Sequence, residues 1–186
     1  MKELIGEDLF DQIPKADAIC IATNCSIVSD DGEASNPMGG GCAGAAAAKW
    51  SELPIVYGAL LACTPHVPVI LGYVNRNDLT DYIYIDQVPE QGVDWCAIVA
   101  YPTMHSISEP ASLDLVARSA ALLSEMADVR EWKHVVVPRP GAGIGGLDWD
   151  TEVKPAIEDI LDDRFTLIHK EFKAGPFTKK WKKLVN

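Results

Sequence analysis

The sequence predicts an α/β layered domain. Short apolar runs, each too short for a helix and rich in β-friendly residues, recur along the chain. Stretches with helical spacing alternate with them, and two glycine-rich segments follow strands and open helices.

The first strand expected is Ala18 to Thr23 (AICIAT). Val67 to Val74, Tyr82 to Asp86, Cys96 to Tyr101 and His134 to Val137 read the same way, the last ended by Pro138. Phe165 to His169 is the final strand. Fully apolar strands such as HVVV suit a sheet covered on both faces. Ala43 to Trp50 is alanine-rich and predicts a helix. A second helix follows Pro110, read as a first-turn residue, with Leu113, Val116, Ala120, Leu123 and Met126 at helical spacing. Asp150 is the expected cap of a third helix over 151–161, with Val153, Ile157, Ile160 and Leu161 inward.

The length of 186 residues suits a single domain, 1–186, with a Lys-rich extension over 174–186 that reads as a solvated tail or last helix. Sixteen Lys and Arg against 27 Asp and Glu give a formal net charge of −11, which disfavours a nucleic acid backbone as partner. No apolar stretch is long enough to span a membrane, and the acidic start, with Glu3, Glu7 and Asp8, does not read as a signal peptide. The five scattered cysteines form no CxxC or His–Cys cluster, so no metal and no cofactor are expected, and a cytoplasmic setting with reduced thiols fits.

Eight of the 14 glycines lie in two runs, Asn36-Pro-Met-Gly-Gly-Gly-Cys-Ala-Gly44 and Pro138-Arg-Pro-Gly-Ala-Gly-Ile-Gly-Gly-Leu147. Strand, glycine loop, helix is the arrangement that makes an anion site: the backbone can approach a ligand, and unpaired N–H groups at the helix start point at it. Two such loops together could hold a diphosphate. The alternative is that they only make tight turns and close packing. No lysine followed by Ser or Thr is present as a phosphate loop requires, and glycines 141, 143 and 146 match GxGxxG only in part.

The combination resembles macro domains, which bind ADP-ribose. ICIATN, ending in Asn24, is similar to the family's strand that ends in asparagine. NPMGGGCAGA and VVVPRPGAGIGGLDW are similar to its two glycine loops, and Gly6-Glu-Asp-Leu-Phe10 to its N-terminal element with one residue inserted. The likeness covers about residues 3–170 and is strongest to the phage and bacterial branch, near the ADP-ribose 1″-phosphate phosphatase-like members, where a segment such as YPTMHSISEP precedes the long helix. It implies a three-layer α/β/α domain with a mixed central sheet, set in the cytoplasm of a bacterial host if phage-encoded.

The resemblance also implies site residues. Asp8 would accept from the adenine amino group, with Leu9 offering backbone contact; the alternative for Asp8 is a turn or cap acid. Asn24 would face the distal ribose, or else be a turn residue at a strand end. Gly39, Gly40, Gly41 and Cys42 would line one side of the diphosphate and distal ribose, and Gly141, Ala142, Gly143, Ile144 and Gly145 the other. Trp149 reads as core; His169 or Phe172 would flank adenine. Hydrolytic members carry an acid two residues after the glycine triplet or inside the second loop, where this chain has Ala43 and Gly145. The groups left for catalysis are Asn24, Asn36, Ser35 and His105, although a lone histidine in a loop before a helix is more often structural or merely exposed.

Two functions follow from the resemblance. One is hydrolysis of ADP-ribose 1″-phosphate or of an ADP-ribosyl linkage, on a small molecule or an ADP-ribosylated macromolecule. The other is a module that binds ADP-ribose or a related NAD-derived nucleotide without turnover. An unrelated α/β nucleotide-binding protein is the third reading.

Overall fold

The computed structural model describes residues 1–170 except 31, 65, 88 and 90–92. The Lys-rich segment and Phe172 lie outside the described residues. A seven-stranded mixed sheet forms the centre: β1 (Lys2–Ile5), β2 (Ala18–Asn24), β5 (Val69–Asn75), β6 (Tyr82–Tyr84), β7 (Trp95–Met104), β8 (Val135–Pro138) and β9 (Phe165–His169). A separate hairpin pairs β3 (Val28–Asp30) with β4 (Glu33–Ser35). The helices are α1 (Gly41–Lys49), α2 (Leu53–Cys63), α3 (Leu113–Val129) and the short α4 (Lys154–Ile157).

The sheet order is β1-β9-β8-β2-β7-β5-β6. The first five are mutually parallel, and β5 runs antiparallel to β7 and β6. Alternation along β2 builds two cores. Ile19 and Ile21 join Ala46, Leu53 and Tyr57 of the first two helices on one face. Ala18 and Cys20 join Val116, Ala120 and Leu123 of α3 on the other. The sheet is thus covered on both faces, as the apolar strands predict.

Three expectations need correction. Pro110 is not in the long helix: Ser112 is the N-cap, its hydroxyl accepting from Leu115 N at 3.3 Å. The helix buries Leu115, Val116, Ser119, Ala120, Leu123 and Ala127, leaving Leu113 and Met126 at the margin. Asp150 is not a cap. Asp148 takes that role, its Oδ1 accepting from Thr151 N at 2.8 Å. In place of one helix over 151–161 there is a wide π turn over Trp149–Val153, then four α-helical residues. Pro155 has no N–H to donate to Thr151, so a regular ladder cannot run through this turn. Val153, Ile157 and Leu161 are nevertheless buried, with Ile160 half-buried. Elements the sequence reading did not assign are β1, the β3–β4 hairpin, α2 and a 3-10 turn over Phe10–Lys15. All five cysteines are free thiols. Among the described residues no helix is long and apolar enough to cross a membrane.

Candidate functional site

Parallel strands end on one edge of a sheet. The C-terminal ends of β1, β9, β8, β2 and β7 therefore bring together Asp8, His169, the second glycine loop, Asn24 with the first loop, and His105. After β2 the chain fills the β7 side of the sheet; after β8 it turns to the other side. Ligand crevices in open α/β sheets form outside strand ends at such a reversal.

The first loop leads straight into α1. Gly40 is the N-cap and has no side chain to offer the first N–H groups of this helix, which leaves room for an outside acceptor. Gly39, Gly40 and Gly41 are exposed. Opposite, Gly143 and Ile144 are exposed too, and a Cβ on Gly40 would stand 2.9 Å from Ile144 Cδ1. The two loops thus face each other at close range, with glycine where a side chain would close the gap.

Gly141 and Gly145 behave differently from their neighbours. Both are buried. A Cβ on Gly145 would stand 2.6 Å from Ala111 Cβ and 2.7 Å from Gly141 O, and Gly145 O accepts from Ala111 N at 2.9 Å. Gly141 has φ +73°, which favours glycine. These two hold the loop's shape, Ala142 is half-buried between them, and Gly143 with Ile144 forms the open crest. An aspartate at 145 would collide with Ala111 and the loop backbone. At the other acid position, Ala43 is buried in the apolar core beneath α1. Both places where a resembling hydrolase would hold an acid are packing positions here.

Asn24 is fixed by a buried amide network. Its Oδ1 accepts from Ser26 N at 2.9 Å and from Asn36 Nδ2 at 3.2 Å, and its Nδ2 donates to Pro37 O at 3.2 Å. Both acceptor positions of the amide are used, and one N–H is left. Asn24 can donate to a ligand but cannot take a proton from water. Asn36 is 1% exposed, and the two N–H of its Nδ2 are shared among three acceptors, Ser26 O (2.8 Å), Asn24 O (2.9 Å) and the more distant Asn24 Oδ1 (3.2 Å). Its Oδ1 has no partner among the described residues. Ser35 lies on β4, half-buried.

Cys42, half-buried in the first turn of α1, sits 3.9 Å from Ala22 O, and burial pushes its thiol up to about 11. Cys25 is likewise pushed up to about 11 by burial, against a lowering contact with Tyr57. Neither is a thiolate nucleophile near neutral pH.

At the far end, Asp8 Oδ1 accepts from Phe10 N at 2.9 Å and Oδ2 pairs with Lys170 Nζ at 2.7 Å. The Lys170 hydrogen bond holds the Asp8 carboxyl below its usual range. Leu9 is buried, its carbonyl accepting from Gln12 N. His169 is half-buried, and its carbonyl accepts from Gly6 N at 2.7 Å. Arg139, the lone charge in the second glycine run, turns away to Glu3 at 2.8 Å and covers the Trp149 ring at 4.7 Å. Trp149 is buried, as a core residue should be.

His105 is exposed at the end of β7, beside Asn24 through the bond from Cys25 N to Met104 O at 2.9 Å. Its Nδ1 lies 3.2 Å from Nδ1 of His66. His66 escapes a reading of sequence because only the antiparallel pairing of β5 with β7 brings it to this edge. Ser26 and Ala111 were missed as well; nothing in their local sequence marks them. A surface hollow bounded by Lys2, Leu4, Lys133, His134, Asp163 and Thr166 lies at the opposite edge and contains none of these groups.

No family model matches the sequence, and no curated protein does. Solved structures do. The chain is similar to the macrodomain of Mycobacterium tuberculosis DarG, with 20% identity, a TM-score of 0.61, and coverage of 89% of this chain and 97% of that one. The fold is that of a macrodomain. A macrodomain from Streptomyces coelicolor matches at 18% identity and a TM-score of 0.55, over 90% of this chain and 97% of that one. Thermosipho africanus DarTG, solved in complex with ADP-ribose, matches at 16% identity and a TM-score of 0.64, over all of this chain and 46% of that one. The expected three-layer architecture with a mixed sheet is therefore the observed one.

Proposed function

We propose that this macrodomain binds ADP-ribose or a closely related derivative in the cleft between its two glycine loops, and binds it without turning it over. The observation that carries this reading is the pair of exposed, uncharged glycine crests facing each other beside an uncapped helix start. Such a cleft meets a diphosphate with backbone N–H groups rather than lysines. Asn24 offers one N–H to a ribose hydroxyl, and Asp8 offers carboxylate lone pairs to an adenine amino group. The relative solved with ADP-ribose supports the ligand class. Against turnover stand the packing of Ala43 and Gly145, the neutral thiols and the donor-only amide of Asn24.

Calorimetry tests the reading. ADP-ribose should bind and AMP much more weakly, since AMP lacks the diphosphate and distal ribose. Equal affinities would end the two-loop assignment. One observation favours a second reading: His105 is an exposed imidazole at the Asn24 end, where a ribose 1″-phosphate or ADP-ribosyl linkage would lie. That reading requires release of phosphate from ADP-ribose 1″-phosphate, or of ADP-ribose from an ADP-ribosylated substrate, that falls in both His105→Ala and Asn24→Ala. Absence of both releases from the parent protein leaves binding as the function.

A further inference from the structure

We infer that His66 and His105 form a two-imidazole site for a divalent transition-metal ion, zinc above all. Their Nδ1 atoms are 3.2 Å apart, with ring centroids 5.4 Å apart and planes tilted by 43°. Two nitrogens bound to one tetrahedral zinc at about 2.0–2.1 Å stand roughly 3.3–3.4 Å from each other. The pair is therefore spaced almost as a tetrahedral ion would space it. A square-planar ion with similar bonds brings cis nitrogens to about 2.8–3.0 Å, a poorer match.

In the metal-free pair, one Nδ1 must carry a proton and the other must accept it. An ion would displace that single proton and receive both lone pairs. The scaffold holds the two side chains from different directions: His105 follows β7, and His66 precedes β5, the strand paired with it. The bond from Ile107 N to Ser26 Oγ at 2.9 Å ties down the segment after His105. No third His, Cys, Asp or Glu joins them among the described residues, so two coordination positions are left for water or an incoming oxygen. The site is accordingly open and exchangeable rather than structural.

The experiment uses the full chain carrying Cys63→Ser, because Cys63 is an exposed thiol that would compete for zinc. Zinc is titrated by calorimetry, and cobalt by NMR of the histidine ring protons. The expected result is one zinc per chain, simultaneous loss of the His66 and His105 ring signals with cobalt, and loss of zinc binding in His66→Ala and in His105→Ala alike. Unchanged zinc affinity in the double alanine variant, or cobalt broadening of one ring without the other, overturns the site. No nucleotide is present in either measurement, so the outcome is separate from that of the ADP-ribose reading.

Discussion

Two glycines two residues apart in one loop should respond to substitution in opposite ways. A Cβ on Gly143 meets nothing within 4 Å, whereas one on Gly145 meets Ala111 Cβ at 2.6 Å and Gly141 O at 2.7 Å. Gly143→Glu should therefore leave stability nearly unchanged, within about 0.5 kcal/mol as for most open surface changes. On the proposed assignment it would place a carboxylate beside the diphosphate. Two like charges about 5 Å apart at an effective dielectric near 20 repel by about 3 kcal/mol. That is a loss of roughly a hundredfold in affinity. Gly145→Ala should do the reverse. Overpacking costs about 1–3 kcal/mol, which lowers the melting temperature by several degrees in a chain of this size. Thermal unfolding and ADP-ribose calorimetry on both variants separate the effects. A folded Gly143→Glu protein that binds ADP-ribose as tightly as the parent would refute the placement of the phosphates. A Gly145→Ala protein with unaltered melting temperature would refute the close-packed loop.

Asn36→Ala should cost about 1–3 kcal/mol in urea unfolding, because Asn24 O and Ser26 O lose a buried donor, and should also weaken ADP-ribose binding through Asn24. Unchanged stability would show that the amide network does not hold this edge. Asp17 is partly buried, which raises its pKa, yet bonds from Lys133 N, His134 N and Arg76 outweigh burial and leave it lowered. A lowered folded value means stability that is present above about pH 3.9, the ordinary aspartate value, and lost as pH falls through the folded value. Asp17→Asn should thus be less stable than the parent by about 1.5–3 kcal/mol at pH 7, with the gap closing in acid; a gap constant with pH would contradict the bonding described. Lys170→Ala should tighten ADP-ribose binding by at most about fivefold, since it frees Asp8 from an exposed ion pair; weaker binding would mean that Lys170 itself meets the ligand.

Most of the central sheet was legible because β2, β5, β7, β8 and β9 are largely buried and apolar, and both glycine runs stood out by composition alone. The parts that were not legible depend on distant partners. Strand β1 is exposed along its length and gains its structure from pairing with β9. The sequence of α2, LPIVYGALLAC, is apolar throughout and carries no helical period. The cap at Asp148 rather than Asp150 follows from where Pro155 breaks the ladder. In the site, glycine content announced both loops but could not separate Gly143, which is open, from Gly145, which is packed on Ala111. Nor could it pair His66 with His105 across 39 positions of sequence.

The pairing of β1 with β9 joins residues 2–5 to residues 166–169. Contacts between such distant parts of a chain are slow to form, since a long loop must close before any of them is gained. During synthesis β1 has no sheet neighbour until β9 has emerged. The glycine loops after β2 and β8 can take shape earlier, whereas Asp8 is positioned only when the first and last strands meet. The proposed diphosphate end of the cleft should therefore mature before its proposed adenine end. A nascent chain halted between Leu161 and Phe165 would hold one half of the proposed binding site without the other.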